Sequence, residues 1–398
     1  MTTELPPAEY EQRLAAVRDR LAETEADTAV WFDATSIGYL TGFHHIQTER
    51  PVVLAVTRET VGITVPRLEV DRVEPNPRIR RVESYFDYPD GDPVGTAAGM
   101  LAALGAESVV SDADGAPGMM GYEGPALSEF VNVDTQSWVE RMRWAKSEAE
   151  VDLIRESARW ANLGHRYLAE EAEPGAHPAT VSGRASLRGS RAMLDTLGDR
   201  YVPRTRGDGP VHAGFISGPQ TSLPHGHTAN RRLERGDVLV TGASANVDNY
   251  YSELERTMFV GEASDEHRHY FELMCEAGRI AIEAMGPGVE LAAVDRAVQE
   301  YFAEQSVTDL ARHHVGHNIG MSGHEPPYID QGWTDHCEER GGRDAEDASM
   351  EPGHVYTIEP GIYTDDAGYR HSDTVAVTED GTERLTYFPR ELAANIIS

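Results

Sequence analysis

The segment Asn249-Tyr250-Tyr251-Ser252-Glu253-Leu254-Glu255-Arg256-Thr257 sets two carboxylates two residues apart. Side chains of an extended strand alternate between faces, so Glu253 and Glu255 share one face and Arg256 points to the other. Two carboxylates on one face repel each other unless something uses them. They can hold a metal, one can be kept protonated by the other, or both can sit in solvent on an edge strand.

Upstream, Val238 to Thr241 reads as a strand that begins after Gly236-Asp237. Ahead of it lies Leu223-Pro224-His225-Gly226-His227, a Pro/Gly-bounded loop that displays His225 where reactive groups are commonly carried. Downstream, His313-His314-Val315-Gly316-His317-Asn318-Ile319-Gly320 supplies three histidines, and Gly323-His324-Glu325-Pro326-Pro327 follows. Imidazole titrates near neutrality without help, so such density points to ligands or acid/base groups, although any single one also reads as a hydrogen-bonded core histidine. Ile358-Glu359-Pro360-Gly361-Ile362-Tyr363 then ends an apolar strand on a carboxylate, where burial requires a partner.

The composition limits the partners. Lys plus Arg total 35 against 67 Asp plus Glu, a formal charge of −32 that argues against nucleic acid and anionic membranes. Lys146 is the only lysine, and this acidic, lysine-poor surface resembles proteins of extreme halophiles. Cys275 and Cys337 are too few and too far apart for a disulfide framework, so the reading is a reducing, cytoplasmic compartment. No apolar run approaches the ~20 residues a membrane span requires.

With 398 residues the chain is long enough for two domains. Apolar positions from Glu9 to Ala26 recur at helical spacing, and strand-like runs follow at Thr28 to Phe32, Val52 to Val56, Gly62 to Val65 and Ser108 to Ser111. With the helix-like Val94 to Leu104, this predicts an α/β domain over residues 1–137. Residues 138–398 read as an α+β domain that opens on a largely helical Trp138 to Leu168, its regular part starting after Arg141-Met142-Arg143-Trp144-Ala145-Lys146, with further helices at Glu266 to Ala284 and Leu291 to Glu304. Asp335 to Ser349 reads as an acidic surface loop.

The ordered set Ser217-Gly218, Pro224-His225, Gly236-Asp237, Glu255-Arg256-Thr257, Gly316-His317-Asn318-Ile319-Gly320, His324-Glu325-Pro326-Pro327, Glu359-Pro360-Gly361-Ile362-Tyr363 and Tyr369-Arg370 to Asp373 resembles the creatinase, prolidase and aminopeptidase P superfamily. The likeness runs from Trp138 to the C-terminus, and the weaker Ile37-Gly38-Tyr39-Leu40-Thr41-Gly42-Phe43 extends it to the N-terminal domain. The resemblance implies a ribonuclease H-like creatinase/prolidase N-terminal domain, a pita-bread catalytic domain, a small-molecule substrate and a homodimer.

Peptidases of that superfamily hold two metals on two aspartates, a histidine and two glutamates. Laid on that pattern, Glu253, His317 and Glu359 match three ligands, while Gly242, or Thr241 with a slip of one, and Ser372 stand at the other two and offer no carboxylate. The expectation is therefore a hydrolase with no metal, or with a single divalent ion on Glu253, His317 and Glu359. Tyr250-Tyr251-Ser252-Glu253-Leu254-Glu255-Arg256-Thr257 is similar to creatinase, and also resembles ectoine hydrolase. That likeness implies His225 as proton shuttle, Glu255 and Glu359 as the carboxylates facing a cationic substrate group, and Arg50 reaching the partner subunit's site to bind a carboxylate. It also places His317, His324, Tyr251 and Arg370 as substrate contacts. The alternatives are a metal-dependent Xaa-Pro dipeptidase or aminopeptidase, and an inactive binding module of the same fold.

Overall fold

The computed structural model describes residues 3–87, 91–115, 122–204, 209–228, 230–333 and 348–397. The predicted loop Asp335 to Ser349 falls largely outside these residues, as does Cys337. The chain divides into two compact units, Pro6–Arg143 and Trp144–Ser398 with Met1–Leu5.

In the N-terminal unit, helix α1 (Pro7–Ala22) leads into strand β1 (Thr28–Trp31), helix α2 (Ala34–Thr41), strands β2 (Val53–Thr57) and β3 (Val61–Pro66), the one-turn helix α3 (Val70–Val73), strand β4 (Arg81–Tyr85), helix α4 (Pro93–Leu104), strands β5 (Ser108–Ser111) and β6 (Asn132–Thr135), and helix α5 (Trp138–Met142). The strands form one sheet in the order β4-β3-β2-β1-β5-β6. The motif at Ile37 to Phe43 is α2 and its exit. Asp33 caps the start by accepting from Ser36 N, and Gly42 closes the end at φ 73, a left-handed conformation that favours glycine. The division after Arg143 assigns α5 to this unit.

The second unit opens with helices α6 (Glu148–Glu171) and α7 (Pro178–Leu197) and strands β7 (Val211–Ser217), β8 (Val238–Val247), β9 (Tyr250–Tyr251) and β10 (Leu254–Val260). Helices α8 (Asp265–Ala284) and α9 (Leu291–Glu304) follow. Strands β11 (Gly316–Asn318), β12 (Glu325–Ile329), β13 (Val355–Ile358), β14 (Gly361–Tyr363), β15 (Gly368–Arg370), β16 (Ser372–Thr378), β17 (Gly381–Arg384) and β18 (Ile396–Ile397) complete it. The main sheet runs β12-β11-β13-β16-β10-β8-β7.

The regular part of the largely helical region from Trp138 starts after Lys146, as the sequence predicts, and the region is broken between α5 and α6. Lys146 N donates instead to Gly353 O at 2.8 Å, and Ala145 bridges to His354. Helix α6 restarts on a capping box in which Ser147 Oγ accepts from Glu150 N and Glu150 Oε2 accepts from Ser147 N. Its Ala161 and Leu168 join Val181 and Ala185 of α7 against Ala213, Leu239 and Met258 of the sheet. Helices α8 and α9 pack Phe271, Met274, Val294 and Val298 against Phe259, Tyr356 and Val375.

The β8–β9 connection is two residues, Asp248 and Asn249, at φ 51 and 67. A two-residue hairpin loop of this hand matches the twist of the flanking strands, and it sets the register that carries Glu253 and Glu255.

Candidate active site

Glu255 pairs with Gly242 of β8 on one side and with Ser372 of β16 on the other. Cross-strand partners present their side chains to one face, so the two ligand positions that lack a carboxylate flank a residue that has one. A Cβ added at Gly242 would lie 3.7 Å from Glu255 Oε1. The carboxylate absent from β8 is thus supplied, in nearly the same place, by β10.

Arg370 fixes that carboxylate. Its Nε meets Glu255 Oε2, its Nη2 donates to Oε1 at 2.8 Å, and its Nη1 donates to Tyr363 Oη at 3.0 Å and Pro224 O at 3.1 Å. Arg370 is buried, and Glu359 Oε2 stands 3.7 Å from Nε. This bidentate pairing corrects the expectation that Glu255 lies open to a cationic substrate, because both its oxygens already serve a guanidinium. The hydrogen bond to Pro224 also ties the His225 loop to the cluster.

Ser372 Oγ donates to Glu253 Oε1 at 2.7 Å. Burial, reinforced by Glu359 and then Glu255, lifts Glu253 to about 8, although part of its surface stays open. His317 is buried with Nδ1 3.0 Å from Asn318 O and Nε2 3.2 Å from Glu359 Oε1, off the line of a hydrogen bond. Burial alone would keep His317 neutral, but Glu359 and Glu253 outweigh it and raise its pKa. The rings of His317 and His324 stack with centroids 3.8 Å apart. Burial, His317, His314 and His225 together hold His324 below the ordinary imidazole value against the pull of Glu359.

With protons on Glu253 and His317, the two negative charges of Glu255 and Glu359 balance the two positive charges of Arg370 and His317. A single divalent ion in exchange for those protons also balances, on three carboxylates and Arg370. Two such ions overshoot. Among the described residues two sets of donors converge closely enough for one ion, Glu253 with His317 and His324, and Glu253 with Glu255 and Glu359, and the expected trio Glu253, His317 and Glu359 is split between them. The Nε2 of His317, buried and without an aligned partner, fits one ion held in the first set. A pair does not fit, since a guanidinium stands among the carboxylates and Ser372 and Gly242 offer no charged oxygen.

The sequence-predicted residues thus divide. Glu253, Glu255, Glu359, His317, His324 and Arg370 come together, and His225 is exposed on the adjoining loop. Tyr251 instead lines a pocket of about 310 Å³ with His212, Ser244 and Asn246. Arg50, in the N-terminal unit, pairs with Glu49 at 2.5 Å and Asp87 at 2.9 Å. Sequence reading assigned no role to Tyr363 or His313, which share a 2.8 Å hydrogen bond beside Arg370. Their only signal was their place within motifs already singled out.

The model of metallopeptidase family M24 matches residues 152–379, and that of the creatinase/prolidase N-terminal domain matches residues 13–144. The chain belongs to family M24, with the pita-bread catalytic domain behind a creatinase-type N-terminal domain. It is 30% identical to a Xaa-Pro dipeptidase of Pyrococcus furiosus over 67% of this chain and 69% of that one. It is 26% identical to a creatinase of Bacillus sp. over 98% of this chain and 93% of that one. The crystal structure of dipeptidase PepE from Mycobacterium ulcerans superposes with TM-score 0.78 at 25% identity, covering 99% of both chains. The expectation that no metal is bound finds no support in a family of metallopeptidases; the departure lies in the donor set. No helix among the described residues is long and apolar enough to cross a membrane.

Proposed function

We propose that this chain hydrolyses a carbon–nitrogen bond in a small zwitterionic substrate, creatine-like or ectoine-like, without the paired-metal centre. The observation that supports this reading is the row Gly242–Glu255–Ser372 with Arg370 bound to its central carboxylate. A built-in cation and two missing carboxylates leave a site balanced by protons. The cationic end of the substrate faces Glu359 and takes the place of the proton on Glu253, which leaves to solvent, and its own carboxylate faces Arg50 of a partner subunit in a homodimer. His225 takes a proton from water as the water oxygen adds to the carbon. It then returns a proton to the departing nitrogen as the carbon–nitrogen bond breaks, a contribution of about 10²- to 10⁴-fold.

A second reading, a Xaa-Pro dipeptidase, is favoured by the relatives and by the unaligned Nε2 of His317. There Glu253, His317 and His324 would hold one divalent ion, which would polarise the peptide carbonyl. Elemental analysis of protein purified in high salt, with activity on creatine, ectoine and a Xaa-Pro dipeptide before and after chelation, decides between them. Metal-free protein that turns over creatine or ectoine supports the first reading. Two tightly held ions with chelator-sensitive dipeptide cleavage would overturn it, and one such ion would establish the second.

A further inference from the structure

The chain's only lysine is buried, its side chain 1% exposed, and among the described residues its ammonium meets Asn318 Oδ1, Trp144 O at 3.3 Å and Glu325 Oε2 at 3.4 Å. An ammonium has three protons to donate. Asn318 Nδ2 also donates to Trp144 O at 3.0 Å, and Glu325 Oε1 accepts from Ser322 N at 2.9 Å. Asn318 and Glu325 pair with each other across β11 and β12.

Both side chains gripped by Lys146 are preceded in sequence by one of the stacked histidines: His317 before Asn318, and His324 before Glu325. Neighbours in an extended strand point to opposite faces, so in β11 Lys146 holds Asn318 from behind while His317 projects toward Glu253, and His324, in the bend just before β12, stacks on His317 on that same side. The register between β11 and β12 shifts between His317 and Asn318, where sheet pairing alone sets side-chain direction least firmly.

A structural ion pair in a core would tolerate arginine, which this chain uses everywhere else. Here the pocket is shaped for a thin stem, since a Cβ at Gly320 would lie 2.8 Å from Lys146 Cε. The planar fork of arginine spreads its donors too widely for these converging oxygens.

We propose that Lys146 is a positioning residue that sets the spacing of the His317–His324 pair. The proposal rests on the placement of both rings, whereas their use in catalysis rests on the functional reading above. Long-range nitrogen–proton NMR of the histidine rings in Lys146→Met and Lys146→Arg tests it, with the buried His165 and His371 as internal controls and kcat and KM measured alongside. Both variants are expected to shift the His317 and His324 ring signals while the controls stay in place, and to lower kcat at least 10-fold with little change in KM. Unmoved His317 and His324 signals in a folded variant would overturn the proposal. Moved signals with kcat unchanged would uphold Lys146 as the positioning residue and remove the histidines from the functional reading. If neither variant folds, Glu325→Gln, which keeps the shape and removes the charge, carries the test. It must displace the His324 signal more than that of His317, and an unmoved His324 would overturn the proposal.

Discussion

The relocation of a carboxylate from β8 to β10 can be undone by mutation. Glu255→Gln leaves the buried Arg370 with the carbonyl of Pro224, the hydroxyl of Tyr363 and the more distant Glu359. Breaking one side of a buried ion pair costs about 3 kcal/mol or more, because the remaining charge stays desolvated. For a unit of this size that corresponds to a fall in Tm of about 6 to 12 °C. Gly242 lies in regular strand backbone, and the Cβ an aspartate would bring stands 3.7 Å from the Glu255 oxygen, so its carboxylate extends into the same place. Gly242→Asp alone adds a like charge beside Glu255 and destabilises. In the Glu255→Gln background the same change gives Arg370 a new partner and recovers about 1.5 kcal/mol, a coupling typical of residues in contact. Urea unfolding of the wild type, both single variants and the double variant at fixed high salt measures this cycle. Single effects that add within about 0.5 kcal/mol would show that the two positions do not share a site.

His225→Ala should lower kcat by about 10²-fold or more while moving the unfolding midpoint by less than about 0.5 kcal/mol, since the side chain is exposed. Unchanged kcat would remove His225 from the mechanism. His165 and His354 are held near 3 by burial, so below pH 6.5 the unfolded chain takes up protons that the folded one refuses, and stability falls as pH drops. Each histidine should cost about 2 kcal/mol at pH 5, and His165→Gln should flatten the decline measured by urea unfolding; a decline as steep as the wild type's would refute the assignment. Arg50→Ala should raise KM for a carboxylate-bearing substrate while leaving kcat near the wild-type value, and an unchanged KM would remove Arg50 from the site.

Much of the site was legible because its carboxylates sit on strands with a period of two. Glu253 and Glu255 share a face and Arg256 points away from it, fully buried and paired with Asp373 at 2.8 Å. The pairing of Glu255 with Arg370 was not legible, because residues 115 apart meet only through the order of strands in the sheet. Helix α7 went unread for a related reason. Its glycines look like breakers, yet Gly189 is small because Val211 packs against it, where a Cβ would lie 2.7 Å from Val211 Cγ1. The start of α6 was legible: the regular helix is predicted to begin after Lys146, where Ser147-Glu148-Ala149-Glu150 carries a capping-box signature.

The burial of the one ε-amine also changes how this protein meets reagents. Acylating dyes, crosslinkers and enzymes that conjugate through lysine find no side-chain amine on the folded surface, since the nucleophile must leave its oxygen partners and lose a proton before it can react. The α-amino group aside, uptake of such a label is a one-site clock for opening of the strands that surround Lys146. A single modified peptide, appearing at the rate of that opening, would time the exposure of the region behind the active site in any salt or ligand condition.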